Sequence, residues 1–365
     1  MIRVIYYTYP MFHKVSFQLV ARQYIDMLRS KYTVYEIDER SIANFYPAKD
    51  NPLILHPLIY IYSSQKNGVE RLRNHLSTII GFEVADTDKI SPLGIMATDF
   101  ADLLIVPSTW SKDAYIRSGC KIPVEVVPHA LNDEFLRPKR YPKLNIIQRL
   151  LEVKQKRNLV YGLFFLWHSG YRKGADLVDR VYREVIKDFP NFILIIKTHN
   201  ITDPHLVKMS KTGCIILRGW LKDEDLVDLY DICDIYPLFS RGGGFELNGL
   251  ESLSRGLITL GASEGSWTDY LPKEFQLPIR GRPFIFKDGL PSTIHCGRGV
   301  EIDVDKAVDK LHEILNNLDE WKAKAKEYAM LVRRKYNKKS VGKILLKVFE
   351  KYLDENVKKE LNVLS

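Results

Sequence analysis

The chain has 365 residues, a formal net charge of +9, 45% hydrophobic and 27% charged residues, and four cysteines, which excludes a disordered chain, a collagen-like chain and a small disulfide scaffold. At roughly 150 residues per domain the length predicts two domains, each able to bury a core, and the scattered Cys120, Cys214, Cys233 and Cys296 form no CxxC and fit a reducing compartment. The surplus of positive charge leaves three partner classes open: nucleic acid, an anionic membrane surface, or phosphorylated small molecules.

In chain order, the amino terminus reads as a first strand, Arg3–Tyr7, with no signal-peptide pattern. Ser16 is the expected N-cap of a helix whose apolar face is Phe17, Val20, Ala21, Tyr24 and Leu28. Further strands are expected at Leu53–Tyr62, Leu103–Val106, Val124–Val127, Val160–Trp167, Phe192–Lys197, Ile215–Leu217, Ile232–Tyr236 and Leu257–Leu260, with helical patterns between most of them. The apolar run Leu159–Trp167 is far shorter than the about 20 residues of a bilayer span. Strand–helix alternation predicts an α/β chain with parallel sheets covered on both faces. The basic segment from Leu136 to Asn158 lacks strand signal and carries prolines, so it reads as a boundary. The expected organisation is a first doubly wound domain over 1–140, a linker over 141–158, a second doubly wound domain over 159–335 and a helical segment over 336–365. In that last segment Ile344, Leu345, Val348, Phe349 and Tyr352 recur at helical spacing.

Several loops carry chemistry. Asp86 and Asp88, in ADTDKIS, are candidates for a general base or for orienting a hydroxyl, although a capping role is commoner for such a triplet. Ser108 or Ser111 caps a helix after Val106, and His129 follows a strand with no acid clearly beside it. In HSGYRKGADLV, Arg172 and Lys173 stand at a strand-to-helix turn that Gly174 opens; two cations beside a helix N-terminus suit a diphosphate. In SRGGGFELNGLESLSRGLITL a strand runs into Gly242–Gly244, a helix starts near Asn248, holds Glu251 early and ends at Gly256. Glycines admit a ligand close to backbone N–H groups, so this loop is a phosphate or sugar cradle or a tight βα connection.

The ordered set EVADTDKIS, ADLLIVPSTWSKDAYIRSGCKIPVEVVPHALNDEFLRP, YRKGADLV, IILRGWLKDEDLVDLYDICDIYPLFS, GGGFELNGLESLSRG and ASEGSWTDYL resembles the GT-B glycosyltransferases, specifically the retaining family-four type, over about residues 85–352. The resemblance implies an α/β GT-B fold. Two tandem Rossmann-like domains, acceptor then donor, would flank a cleft, and a C-terminal helix would return to the N-terminal domain. It implies a nucleotide diphosphate sugar as co-substrate, no cofactor and no metal, and transfer of the sugar to a hydroxyl with retention. Lys173 matches the family's Lys-Gly and would neutralise the diphosphate, with Arg172 as helper. Glu251 matches the second Glu of the Glu-x7-Glu motif and would accept from the ribose hydroxyls. The first Glu of that motif falls on Gly243; either Glu246 substitutes from a shifted loop or the sugar contact is absent, and the amides of Gly244, Phe245 and Glu246 would face sugar and phosphate. Gly219, Leu221 and Lys197 are similar to positions lining the nucleotide pocket.

On this reading the acceptor is a glycan, a lipid-linked molecule or a protein, entering near Asp86, Asp88 and the Thr8–Lys14 loop. The DxD-like triplets at Asp223 and Asp303 read as helix starts. A cytoplasmic protein is expected, with the basic surface as the feature that would meet a membrane. No recognition-helix, zinc-finger or RNP-like pattern supports nucleic-acid binding. Two alternatives stay open: a degenerate GT-B protein that binds sugar nucleotide without transfer, and a GT-B nucleotide-sugar epimerase or hydrolase.

Overall fold

The computed structural model describes residues 4–13, 15–167, 169–199, 204–286 and 293–363, with side chains described through residue 353. Two compact units divide the chain. Met1–Ala130, Asp288–Gly297 and Tyr336–Ser365 form the first, and Leu131–Lys287 with Arg298–Lys335 the second.

The first unit alternates β1 (Val4–Tyr9), α1 (Ser16–Leu28), β2 (Thr33–Asp38), β3 (Asn51–Leu55), α2 (Leu58–Ser64), α3 (Lys66–Leu72), β4 (Leu76–Phe82), α4 (Pro92–Thr98), β5 (Leu103–Val106), α5 (Thr109–Arg117) and β6 (Val124–Val126). The strands pair in parallel in the order β2-β1-β3-β4-β5-β6. Branched and aliphatic side chains such as Leu53, Leu55, Ile79, Leu104 and Val106 are buried between sheet and helices, as a sheet covered on both faces requires.

The second unit runs α6 (Asn145–Arg157), β7 (Val160–Leu166), α7 (Ala175–Asp188), β8 (Phe192–Thr198), α8 (Pro204–Met209), β9 (Ile215–Arg218), α9 (Asp223–Ile232), β10 (Ile235–Leu238), α10 (Leu247–Ser254), β11 (Ile258–Ala262), β12 (Gln276–Leu277), β13 (Ile279–Gly281), β14 (Glu301–Ile302), α11 (Val304–Asn316) and α12 (Leu318–Lys335). Its main sheet is parallel in the order β12-β11-β10-β7-β8-β9. The strand order therefore reverses between β7 and β10. The last helix, α13 (Lys338–Val363), belongs to the first unit and packs on α1, where Gly342 lies against Met27. Two parallel α/β sheets and this returning helix are the GT-B architecture expected above.

Several elements differ from the sequence expectation. The run Leu53–Tyr62 splits: β3 stops at Leu55, and the chain turns through His56–Pro57 into α2, because Pro57 has no N–H to continue a ladder. Ile232 closes α9 rather than opening a strand, and β10 begins at Ile235. Ser16 is the first helical residue of α1, not its cap, which is Val15. β2 and β4 are strands that the sequence reading did not name. Ile344 faces outward, and the buried stripe of α13 is Val341, Leu345, Phe349 and Leu353.

The first stretch of the first unit ends at Ala130 rather than 140, and residues 145–157, read as linker, form α6. Charge pairing explains both. Arg140 reaches Asp228 at 3.2 Å and Glu224 at 3.1 Å, Arg137 bonds Asp228, and Lys154 bonds Asp234 at 2.6 Å. The basic segment is thus sewn to α9 and the start of β10 within the second unit.

Candidate functional site

In open α/β sheets, ligands bind outside the carboxyl ends of the strands where the strand order reverses. In the second unit that point lies between β7 and β10. The loops following these two strands are the two that the sequence singled out. After β7 the chain closes on itself: Lys173 N–H donates to Ser169 O at 2.9 Å and Ala175 N–H to Gly170 O at 2.9 Å. Gly174 then takes φ 74° as the N-cap of α7. A Cβ there would overlap the Phe239 carbonyl oxygen, so glycine is required twice over, by conformation and by space.

The loop after β10 interlocks with the first one. Arg241 N–H donates to Arg172 O at 2.7 Å, and the Arg172 guanidinium donates back to Gly242 O at 2.8 Å. Glu246, at φ 60°, turns its carboxylate inward. Lys173 Nζ lies 2.7 Å from each Glu246 oxygen, Arg172 Nη1 is 3.7 Å from Oε1, and Ser240 Oγ donates to Oε1 at 3.3 Å. Arg172 is only 8% exposed, so this is a nearly dry cluster of two cations and one carboxylate. A Cβ on Gly243 would overlap Glu246 Oε1. The Glu246 carboxylate therefore fills the space where any side chain at 243 would begin, and no second carboxylate fits beside it.

Glu251 stands one turn into α10, where Tyr230 Oη donates to its Oε2 at 2.9 Å. Loss of water pushes the Glu251 carboxyl up to about 8; the nearby Asp223 adds to the rise, and the Tyr230 bond opposes it. Tyr230 is itself fixed by Phe165, stacked at 5.5 Å, and Phe135, edge-on at 5.5 Å. On the other side of β7, buried Lys197 donates to the carbonyls of Gly219 and, at 3.3 Å, Thr198. Desolvation lowers its ammonium below the usual lysine range. Leu221 is partly buried just beyond Gly219.

Arg172, Lys173, Gly243, Gly244, Phe245 and Glu246 thus come together at the paired loops, with Glu251 on the helix that follows. Asp86 and Asp88 belong to the first unit. They follow β4 on a loop held by residues 293–297: Asp86 N–H donates to His295 Nδ1 at 3.3 Å, Gly297 N–H donates to Thr87 Oγ1 at 3.3 Å, and Ile90 bridges His295. Glu83, buried at the end of β4, accepts from Ile59 N–H at 2.7 Å and has its carboxyl raised to about 7 by burial. Thr8 is a buried residue of β1, and Lys14 and His168 lie outside the described residues. Asp303 caps α11 by accepting from Asp305 N–H at 3.0 Å, and Asp223 opens α9.

The sequence did not reveal Arg241. Its guanidinium, 2% exposed, forms two 2.7 Å bonds to Asp176 and one to Glu301, and lies 4.0 Å from the Tyr171 ring centre. It locks the β10 loop to the start of α7; its only signal was a basic residue beside a glycine run. Trp167 was also missed. It stacks on His199 at 4.8 Å, meets the exposed Trp220 edge-on at 5.6 Å, and has Lys197 Nζ 5.4 Å from its ring centre.

No protein-family model matches the chain. It is 37% identical over 96% of its length to "Uncharacterized protein 356" of Sulfolobus islandicus rod-shaped virus 1, covering 99% of that protein. It is 31% identical to "Putative glycosyltransferase 45" of the Sulfolobus islandicus filamentous virus (isolate Iceland/Hveragerdi), over 72% of each chain. Among solved structures it is similar to sucrose-phosphate synthase from Thermosynechococcus elongatus, with a TM-score of 0.68, 12% identity, and coverage of 97% of this chain and 100% of that one. It is likewise similar to the E. coli structure described as trehalose-6-phosphate bound with UDP-2-fluoro glucose, with a TM-score of 0.62, 10% identity, and coverage of 96% and 98%.

Proposed function

The chain belongs to the GT-B glycosyltransferases, and from that premise we propose that it moves a sugar from a nucleotide diphosphate sugar to an acceptor hydroxyl, retaining the anomeric configuration, without a metal ion. The observation that carries this reading is the cluster of Lys173, Arg172 and Glu246 at the strand-order reversal of the second sheet. The resemblance to a structure bound with UDP-2-fluoro glucose supports a nucleotide-sugar donor.

On this proposal the diphosphate draws Lys173 away from Glu246. Departure of the nucleotide diphosphate builds negative charge on phosphate oxygens while the sugar becomes cation-like. Lys173, Arg172 and the N-termini of α7 and α10 stabilise that charge, in a nearly dry site where electrostatic stabilisation is strong. The freed Glu246 carboxylate accepts from sugar hydroxyls, taking the role that Gly243 cannot fill. Glu251 meets the ribose, and the flat face of Trp167 with Lys197 and Gly219 lines the base pocket. The leaving phosphate takes the acceptor's proton, and Asp86 and Asp88 are assigned to the acceptor side. The acceptor is a glycan, a lipid-linked molecule or a protein.

The test is transfer with a panel of nucleotide sugars and acceptors. Lys173→Ala and Glu246→Gln are each expected to lower kcat/KM by about 100-fold or more, the order of a lost charge-stabilising contact. Full activity in both variants overturns the site. Saturable sugar-nucleotide binding with no turnover across the panel replaces this reading with that of a binding protein.

A further inference from the structure

A second concentration of charge lies at the opposite edge of the same sheet. Asp234 immediately precedes β10 and Gly256 lies just before β11, so both mark the amino edge. Here α6, α12 and the ends of α9 and α10 line a hollow of about 590 Å³ that is open to solvent. Six cations line it (Lys139, Lys154, Arg255, Lys322, Lys326 and Arg333) against two carboxylates, Asp231 and Asp234.

The two carboxylates are already engaged. Asp234 bonds Lys154 and Lys322, each at 2.6 Å. Asp231 is held by the Arg255 fork at 2.7 and 2.8 Å, and Arg255 also donates to the carbonyls of Phe135 and Arg137. Lys139 comes only to 3.9 Å from Asp231, and Arg333 Nε is on the Ser254 carbonyl at 2.7 Å. Lys139 and Lys326 therefore bring positive charge beyond what the two acids offset. The crowding is visible on Lys139: loss of water lowers its ammonium, and Arg255, Lys154 and Arg333 lower it further against the pull of Asp231. Burial and Arg255 likewise lower Arg333. A hollow of this size accommodates a small ligand, and like charges gathered around it are relieved by an anion.

We propose that this cavity is an anion site for a phosphate-bearing ligand, separate from the cluster at Lys173. Lysine and arginine heads facing one hollow suit phosphate oxygens, Lys as point charges and Arg through its planar fork. The phosphate is carried either by a soluble molecule or by a lipid headgroup. Met330, which lines the cavity, is 59% exposed, an apolar side chain that a lipid would use.

The full chain is titrated with sodium pyrophosphate by calorimetry at matched ionic strength, as wild type, as Lys173→Ala and as Lys173→Ala with Lys139→Gln/Lys326→Gln added. Lys139 and Lys326 are exposed, so their removal leaves the fold intact, which circular dichroism checks. The expected result is saturable binding that persists in Lys173→Ala and weakens at least about tenfold when Lys139→Gln/Lys326→Gln is added to it. Sedimentation with phosphatidylcholine vesicles, with and without phosphatidylglycerol, separates the sources. Capture by the anionic vesicles that pyrophosphate reverses identifies a headgroup, and pyrophosphate binding without capture identifies a soluble ligand. Absence of saturable binding in Lys173→Ala, or undiminished binding when Lys139→Gln/Lys326→Gln is added to it, overturns the proposal.

Discussion

Glu251 and Glu246 are both carboxylates of the second unit, yet their surroundings give them different work. Glu246 sits between two cations. The Glu251 carboxyl group accepts from the Tyr230 hydroxyl, and burial raises it to about 8 from the ordinary 4.5. In the unfolded chain that carboxyl has lost its proton above about 4.5, while the folded chain keeps it until about 8. The native state therefore binds more protons across that window, so stability falls as pH rises through it and levels off above it. Glu251→Gln is expected to flatten the fall. Thermal melts of both proteins from pH 5 to 9 check this, and identical slopes contradict it; Glu83, raised to about 7, tilts both curves equally and cancels in the difference. Glu251 was legible in the sequence because its motif is local. Tyr230, 21 positions away, was not, because what brings it there is the packing of α9 on the sheet. Glu246 was legible only as a substitute: that its carboxylate occupies the space above Gly243 depends on a left-handed backbone at 246, which no composition rule assigns to a Glu.

At the scale of elements, the turn into α7 shows how much a glycine does. Gly174 and Gly213 both have positive φ, 74° and 79°. Around Gly213 a Cβ would meet nothing within 4 Å, whereas at Gly174 it would overlap the backbone carbonyl of Phe239, which cannot swing aside like a side-chain tip. Gly213→Ala is expected to cost about 1 kcal/mol, for conformation alone, and Gly174→Ala more than about 2 kcal/mol because β10 and α7 must also part. Urea unfolding of the two variants measures the difference; equal losses would show that the interlocked loops yield freely. Most buried strands were legible as short apolar runs because parallel strands are apolar on both faces. β2, TVYEID, was not, since its exposed Thr33 and Tyr35 dilute the run. The basic stretch before β7 gave no helix signal strong enough to name, because the acids that anchor it, Glu224, Asp228 and Asp234, lie more than seventy residues on.

At the scale of the whole molecule, the first unit is assembled from distant parts of the chain, and α13 is one of them. Its stripe of Val341, Leu345 and Phe349 is 0% exposed, so this helix completes the core beside α1 rather than decorating it. Phe349 packs near Tyr32, with ring centres 6.2 Å apart, while Lys31–Glu350 at 2.6 Å and Lys351–Glu125 at 2.8 Å tie the helix rim to the same unit. The rim pairs are exposed and contribute little; the stripe carries the attachment. Truncating a buried Phe to Ala removes its transfer free energy and leaves a cavity, at about 3–5 kcal/mol. Phe349→Ala is therefore expected to raise hydrogen exchange across β1–β6 and α1, all in the first unit. The peptides of β7 and β10, which carry the loops around Lys173 and Glu246, keep their protection. Exchange measured by mass spectrometry reads both units in one sample. A loss confined to α13 itself would mean that the helix is an appendage, and that the first unit owes its core to residues before Ala130 alone.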